Sequence, residues 1–148
     1  MNKRLTIALV AHDQRKADMV EWAAFNADTL SKHRLVCTGT TGRLIKKAFD
    51  EKGVNADITC MNSGPMGGDA EIAAMVVRHE INLAIFLIDD LNPQPHEADI
   101  QMLLRQCRIH NVPIACNRYS ADLMITSSLW DREDYVPKVP QYIKFHRE

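Results

Sequence analysis

Short apolar runs rich in aliphatic residues alternate with longer amphipathic stretches along the whole chain. Nearly continuous apolar runs of this kind predict strands that are covered on both faces, as in a parallel sheet. The predicted strands are Leu5–Ala11, Arg34–Cys37, Ala56–Met61, Leu83–Ile88 and Pro113–Cys116. The alternation predicts an α/β fold: a three-layer αβα, doubly wound, Rossmann-like arrangement around a five-stranded, mainly parallel sheet, formed as a single domain over residues 1–148.

The stretches between the strands have the spacing of helices with one apolar face. Apolar residues recur at i, i+3, i+4 and i+7, which places them on one stripe that can pack on the sheet. Gly53 is predicted to close the second helix, and Asn111 with Pro113 to end the fourth. The stripes are Met19, Trp22 and Ala23 in the first helix, Ile72, Met75, Val76 and His79 in the third, and Ile100, Leu103, Leu104 and Cys107 in the fourth.

Unusual polar clusters follow the predicted strands. In an open parallel sheet the carboxyl ends of the strands form the binding edge, because helix N-termini and βα turns meet there. We therefore expect these clusters to lie at one edge of the sheet. They are His12–Lys16, Thr38–Gly42, Ser63–Asp69, Asp89–Asp99 and Asn117.

The turn Thr38–Gly42 combines hydroxyl groups with glycine-permitted amides at the start of a helix. This pattern fits a phosphate cradle, although plain N-capping of the helix explains it equally well. A second small turn, Ser63 and Gly64, and Lys16 near Asp13 favour phosphate, while an exposed ion pair also explains the lysine. Neither a Walker A loop nor a GxGxxG turn is present, so nucleotide binding receives little support.

Two further positions carry acid–base candidates. Asp69 follows a double glycine and opens a helix, where a structural N-cap and a catalytic base would both sit. His96 lies between Asp89 and Asp99 on a loop made rigid by two prolines. Carboxylates on both sides can set the tautomer and charge of an imidazole.

The net charge of the chain argues against two classes of binding partner. Eighteen Lys+Arg and nineteen Asp+Glu give a formal net charge of −1, so no bulk field gathers nucleic acid or an anionic membrane. We therefore expect neither as a partner. The apolar stretch Leu5–Ala11 is too short to span a membrane and has no small-residue cleavage site behind it, so a cytoplasmic location is expected.

The cysteines and the C-terminal tail carry weaker signals. Cys37, Cys60, Cys107 and Cys116 have no CxxC pair or metal-type spacing, and we interpret them as buried reduced thiols, with no metal site predicted. The tail after Trp130 is charged and contains two prolines, and its end, Gln141–Glu148, has the composition of a short helix. It fits either a surface arm or a part of a neighbour's active site.

Four of these segments resemble the methylglyoxal synthase family, in the same order and over nearly the whole chain. They are AHDQRK (Ala11–Lys16), TGTTG (Thr38–Gly42), SGPMGGD (Ser63–Asp69) and the D-x-L-N-x-x-P-H-x-x-D series from Asp89 to Asp99. The glycine-rich third segment and the downstream Pro-His are the most specific. The fold by itself also suits the related allosteric domain of carbamoyl phosphate synthetases.

The resemblance implies conversion of dihydroxyacetone phosphate to methylglyoxal and inorganic phosphate, without metal or organic cofactor, in a homohexamer inhibited by phosphate. By matching positions, Asp69 is the base, and His96 and Asp99 assist proton movement. A basic residue near the C-terminus stays unassigned between His146 and Arg147. The remaining substrate-binding set comprises His12, Asp13 and Asp89, with Lys16, Thr38, Gly39, Thr40, Thr41, Ser63 and Gly64 around the phosphate and His96 at the reacting carbons.

Two other functions remain open at this point. A non-catalytic regulatory domain would bind a phosphorylated effector with the same turns, but it needs no base or proton shuttle. The length of 148 residues also favours the enzyme, because a regulatory module needs a catalytic partner. An isomerase would form glyceraldehyde 3-phosphate instead.

Overall fold

The structure is a computed structural model that describes residues 2–141. Its sheet has the order β3-β2-β1-β4-β5, and every neighbouring pair of strands is parallel. The predicted three-layer, doubly wound fold is confirmed. The strands are β1 (Thr6–Ala11), β2 (Arg34–Cys37), β3 (Asp57–Cys60), β4 (Leu83–Leu87) and β5 (Ile114–Ala115), and the helices are α1 (Lys16–Phe25), α2 (Ala27–Leu30), α3 (Gly39–Glu51), α4 (Gly68–Val77), α5 (Glu97–Ile109) and α6 (Arg118–Thr126).

The central strand β1 is apolar except for Thr6 at its start, and its place between two helix layers explains this pattern. Ile7 and Leu9 point to one face of the sheet and pack with α1, α3 and α6. Ala8 and Val10 point to the other face, into the core formed with α4 and α5. Successive side chains of a strand point to opposite faces, so a strand between two helix layers must be apolar at every position.

Two predicted helix ends are confirmed, and one predicted buried position is wrong. Gly53, just beyond α3, has φ +71°, and Asn111, just beyond α5, has φ +55°, in the left-handed region that ends helices. His79 was expected on the buried stripe of α4. That helix ends at Val77, and His79 is exposed with φ +61°, because the chain turns away before the stripe is completed.

The prediction of buried thiols holds for two of the four cysteines. Cys37 and Cys107 are buried, whereas Cys60 and Cys116 are exposed. Cys60 ends β3 and Cys116 follows β5, and these are the two edge strands of the sheet. An edge strand has a neighbour on one side only, so apolar sequence there does not guarantee burial.

The part of the tail that the structure describes lies along the domain. The Lys3 ammonium donates to the Tyr135 carbonyl at 2.9 Å, and the Asn111 amide donates to the Lys138 carbonyl at 2.8 Å. The predicted final helix, with His146 and Arg147, lies outside the described residues. Within residues 2–141, no helix is long and apolar enough to cross a membrane.

The strand order sets the position of the candidate site. The chain winds outward from β1 through β2 to β3, then crosses back to β4 on the other side of β1. The crevice beyond the carboxyl ends of the strands at this reversal is the usual binding place in open α/β sheets. His12, Thr38 and Ile88 directly follow β1, β2 and β4 there.

Candidate active site

A cavity of about 250 Å³ opens at this edge, and the loops after four strands contribute to its wall. The predicted site residues that line it are His12, Asp13, Lys16, Thr38, Thr40, Ser63, Gly64, Asp69 and His96. The expected meeting of the threonine turn, the serine turn, the aspartate and the histidine around one cleft is therefore present.

Four predicted site residues do not line this cavity. Thr41 and Gly39 are buried within the first turn of α3. The Asp89 carboxylate instead accepts hydrogen bonds from its own loop, from the Leu91 amide at 3.0 Å and the Asn92 side chain at 2.8 Å. Asp99 is half-buried on the first turn of α5.

The two predicted phosphate turns touch each other. A Cβ atom added at Gly39 would lie 3.3 Å from the Ser63 amide nitrogen and 3.1 Å from the Met61 carbonyl oxygen, so a larger residue would press on the backbone of the neighbouring turn. Thr38 occupies the N-cap position of α3 but forms no side-chain cap hydrogen bond within the described chain. Thr38 and Thr40 both line the cavity, beside a helix N-terminus that favours anions.

Lys16 both pairs with Asp13 and lines the cavity. Its ammonium lies 2.5 Å from the Asp13 carboxylate, and the two side chains are 21% and 88% exposed. The hydrogen bond from Lys16 lowers the pKa of Asp13. The surface ion pair and the cavity position are therefore both present, and the lysine supplies a positive charge beside the phosphate turns.

Asp69 is fully buried as the second residue of α4. The cap position belongs to Gly67, which has φ +106°, and neither Asp69 oxygen has a hydrogen-bond partner within residues 2–141. The N-cap interpretation is therefore wrong. Burial raises the pKa of Asp69 to about 6, with the Asp99 charge adding to the rise and His96 opposing it.

His96 approaches Asp69 from the loop before α5, with its Nε2 3.5 Å from Asp69 Oδ2. Gly64 leaves room for this approach, because a Cβ atom there would lie 2.7 Å from His96 Nε2. The expectation that Asp89 and Asp99 bracket the imidazole is corrected: within the described chain, the carboxylate in ion-pair range is that of Asp69.

His12 completes the polar end of the cavity, where its ring lies edge-on to His96 with centroids 5.6 Å apart. Its Nδ1 accepts a hydrogen bond from the Asp89 backbone amide at 2.8 Å. Burial lowers the pKa of His12, and the nearby His96 lowers it further. Asp89 thus holds His12 through its backbone amide, and its carboxylate raises the pKa of His12.

His12, Asp69 and His96 also have the chemistry of metal ligands, with ligand atoms within 4.8 Å of one another. A ligating imidazole coordinates through one nitrogen and donates its other N–H to a second partner. His12 does the reverse, because its Nδ1 accepts the Asp89 amide, which leaves the ring proton on Nε2. The cluster therefore does not fit a metal held by all three side chains.

Gln94 is a lining residue that the sequence did not single out. It sits between two prolines in the loop before His96, and its side chain donates to the Asn92 carbonyl at 3.2 Å. A polar residue held between two prolines next to a candidate histidine is the signal that could have identified it.

Comparison with known proteins agrees with this geometry. The family described as the MGS-like domain matches residues 18–116. A methylglyoxal synthase from Treponema socranskii is 72% identical over all 148 residues, covering 94% of that relative. One from Coxiella burnetii is 44% identical over 136 residues, covering 92% of this chain and 91% of the relative.

The fold comparison gives the same result. The crystal structure of methylglyoxal synthase from Elizabethkingia anophelis NUHP1 superimposes with a TM-score of 0.84 at 38% identity, covering 98% of this chain and 91% of that one. By sequence and by fold, the chain belongs to the methylglyoxal synthase family.

Proposed function

We propose that this chain converts dihydroxyacetone phosphate to methylglyoxal and inorganic phosphate, with Asp69 as the base. The observation that carries the proposal is the placement of a buried carboxylate and an imidazole in the same small cavity as two anion-binding turns. Family membership supports the lyase chemistry, and the geometry supports the proposed residue roles.

The first step removes a proton from the carbon that carries the hydroxyl group. Such a proton is only weakly acidic, so the base must be well placed and must hold its proton once it has taken it. Asp69 meets both needs, since burial raises its pKa to about 6 and neither of its oxygens accepts a hydrogen bond within the described chain.

The negative charge that leaves the carbon moves onto the carbonyl oxygen and forms an enediolate. Preorganised hydrogen-bond donors at that oxygen stabilise the transition state. His96 is the proton-transfer partner, because its Nε2 lies beside the Asp69 carboxylate. Asp99 assists from a distance, since its charge raises the pKa of Asp69.

The second step expels phosphate. The bridging C–O bond must stand roughly perpendicular to the enediolate plane, so that the π electrons displace the leaving group. An isomerase has to hold the same bond in the plane. We propose that the turns Thr38–Thr41 and Ser63–Gly64 hold the phosphate out of plane, which their adjacency supports. A bound enediolate mimic with its phosphate in plane would contradict this.

The direct test mixes the protein with dihydroxyacetone phosphate and measures methylglyoxal and free phosphate together. One equivalent of each per substrate is expected. Glyceraldehyde 3-phosphate as the product would indicate an isomerase, and tight binding of substrate without turnover would indicate a regulatory domain. The Asp69→Asn protein is the matched control, because it keeps the phosphate turns.

Three further properties complete the proposal. They are assembly into a homohexamer, inhibition by inorganic phosphate and a cytoplasmic location. The first two rest on the family, and the third rests on the sequence. Mass measurement by light scattering tests the assembly, and initial rates at increasing phosphate concentration test the inhibition. The C-terminal basic residue, His146 or Arg147, receives no role here.

A further inference from the structure

His12 is anchored to the protein by one ring nitrogen only. Its side chain is 5% exposed, its ring packs edge-on against Phe86 at 5.1 Å, and its Nδ1 accepts the Asp89 amide at 2.8 Å. Its Nε2 has no hydrogen-bond partner within residues 2–141, and the residue lines the cavity. The ring is therefore held in place through Nδ1 and Phe86, and its Nε2 remains available to a ligand in the cavity.

A backbone amide can only donate, so this contact determines the tautomer of His12. A proton on Nδ1 would place two N–H donors face to face at hydrogen-bonding distance, with no acceptor between them. In a buried site, losing this hydrogen bond costs free energy. The neutral ring must carry its proton on Nε2. The same clash opposes the doubly protonated ring.

The surrounding charges do not reverse this preference. Burial and His96 lower the pKa of His12, and the carboxylates of Asp89, Glu97 and Asp13 raise it, with burial the largest influence. A neutral imidazole with its N–H directed at substrate is the form that polarises a carbonyl without giving up its proton.

We propose that the Asp89 amide locks His12 as a permanent Nε2–H donor, and that this donor holds the developing enediolate oxygen while His96 moves the proton. This division of labour rests on the proposed function. The carbon-bound proton passes to Asp69, the charge passes to the oxygen facing His12, and His12 itself neither gains nor loses a proton. His96 transfers a proton between the enediolate oxygens, and the C–O bond then breaks with its electron pair leaving on phosphate, so that the enol of methylglyoxal remains. Asp69 releases its proton, which balances the charge on the departing phosphate. The enol becomes methylglyoxal when its O–H proton is replaced by a proton on the terminal carbon.

His96 suits the mobile role because no backbone amide among the described residues fixes its proton. Its Nδ1 has no hydrogen-bond partner within the described chain, and its Nε2 faces the Asp69 carboxylate rather than a fixed donor. Neither ring nitrogen is thus held by a hydrogen bond to a fixed donor of the described chain. Within the part of the chain that the structure describes, a backbone amide holds Nδ1 of His12 but neither nitrogen of His96. This difference assigns the fixed donor role to His12 and the proton-transfer role to His96.

The lock is tested by nitrogen-15 NMR of the histidine rings in the wild-type protein, through the two-bond couplings that distinguish tautomers. His12 is expected to remain the neutral Nε2–H form from about pH 5.5 to about pH 8.5, a window that brackets the ordinary histidine pKa. The Asp89→Ala protein keeps the amide and should show the same form. An Nδ1–H or doubly protonated His12 at neutral pH would overturn the lock.

His33 is an internal standard, because the Leu5 amide donates to its Nδ1 at 2.9 Å and it is 2% exposed. It lies at the opposite, amino end of the sheet and packs against Trp130. Its ring should show the same tautomer. The His33→Leu change should lower stability and leave turnover per folded molecule unaltered.

Kinetics test the catalytic half of the proposal. His12→Leu should lower kcat by about 10²- to 10³-fold, the usual loss for one oxyanion donor, with KM changed by less than about threefold. His12→Gln, which can place an amide N–H near the position of Nε2, should recover part of that loss. A raised KM with unchanged kcat would show that His12 only binds substrate.

These experiments distinguish failure of the His12 proposal from failure of the proposed function. If wild-type protein releases no methylglyoxal, the proposed function falls, and the catalytic role of His12 falls with it. The NMR measurement still decides the lock in that case. If wild-type protein is active but His12→Leu keeps its kcat, the assignment of the donor is wrong and the proposed function stands.

Discussion

His96 Nε2 lies 3.5 Å from Asp69 Oδ2, with side chains that are 5% and 1% exposed. Buried polar atoms are normally hydrogen-bonded, yet both oxygens of Asp69 and the Nδ1 of His96 lack such a partner in residues 2–141. Unmet hydrogen-bonding capacity costs stability and concentrates at functional sites. We interpret these groups as kept available for the substrate.

Replacing Asp69 by asparagine is expected to abolish most of the activity. The amide has nearly the same shape but cannot accept a carbon-bound proton, so kcat should fall by roughly 10³-fold or more, while phosphate binding stays nearly intact. Turnover is measured by methylglyoxal release, and phosphate affinity by calorimetry. Near-normal turnover in the folded variant would remove Asp69 from the role of base.

The same substitution should stabilise the fold at neutral pH. The folded pKa of Asp69, about 6, lies above its ordinary 3.8, so the folded state binds more protons between those values. The contribution of Asp69 to wild-type stability should therefore decline as pH rises through this window. The advantage of Asp69→Asn should grow by roughly 2 kcal/mol between about pH 4 and about pH 7.5. Urea unfolding at both pH values measures it, and an advantage that shrinks with rising pH would contradict the elevated pKa.

His96→Gln should slow the reaction less than Asp69→Asn does. Glutamine keeps a donor but cannot move a proton between the enediolate oxygens, so kcat should fall by about 10²-fold while KM changes little. Steady-state kinetics beside Asp69→Asn provide the comparison. Full activity of His96→Gln would require another residue to move the proton.

The hydrophobic pattern predicted the sheet well because β1 is central and apolar on both faces, as Ile7 and Ala8 show. The pattern failed to predict burial where burial depends on which strands lie next to each other in the sheet. Cys60 is exposed because β3 lies at the edge of the sheet. The hydrophobic periodicity of a sequence does not determine the order of the strands, so the pattern could not predict this exposure. Helix α6 was not predicted, although Asn117 caps it by accepting the Ser120 amide at 2.8 Å.

The polar motifs located the candidate site, but they did not reveal how it works internally. Thr40, Ser63 and His96 were placed correctly at one cavity, since turns after parallel strands converge at the same edge. The contact of Asp89 with His12 was not anticipated, because it uses the backbone amide. Every residue except proline has that group, so no motif reports it.

Gly64→Ala should damage catalysis more than folding. The added Cβ would lie 2.7 Å from His96 Nε2 and 3.3 Å from Asp69 Oδ1, so the imidazole must move away from the carboxylate. We expect kcat to fall by about 10²-fold, since small misplacements of reacting groups are costly. The control is Gly53→Asn, a remote position with φ +71° and open space around the Cβ, where turnover should not change. Wild-type turnover in Gly64→Ala would show that the approach of His96 to Asp69 is not needed.

Lys16→Met should weaken the binding of phosphate and substrate. The methionine keeps the length and apolar stem of the lysine but removes the positive charge beside the phosphate turns, so we expect KM and the phosphate Kd to rise about tenfold or more. Lys46→Met is the matched control, because Lys46 also forms an ion pair, with Asp50 at 3.5 Å, but on the exposed side of α3. Its loss should leave both constants unchanged. If the two substitutions had equal effects, Lys16 would act only through general surface charge. A direct contact between Lys16 and phosphate requires Lys16→Met to have the larger effect, because Lys46 lies outside the cavity.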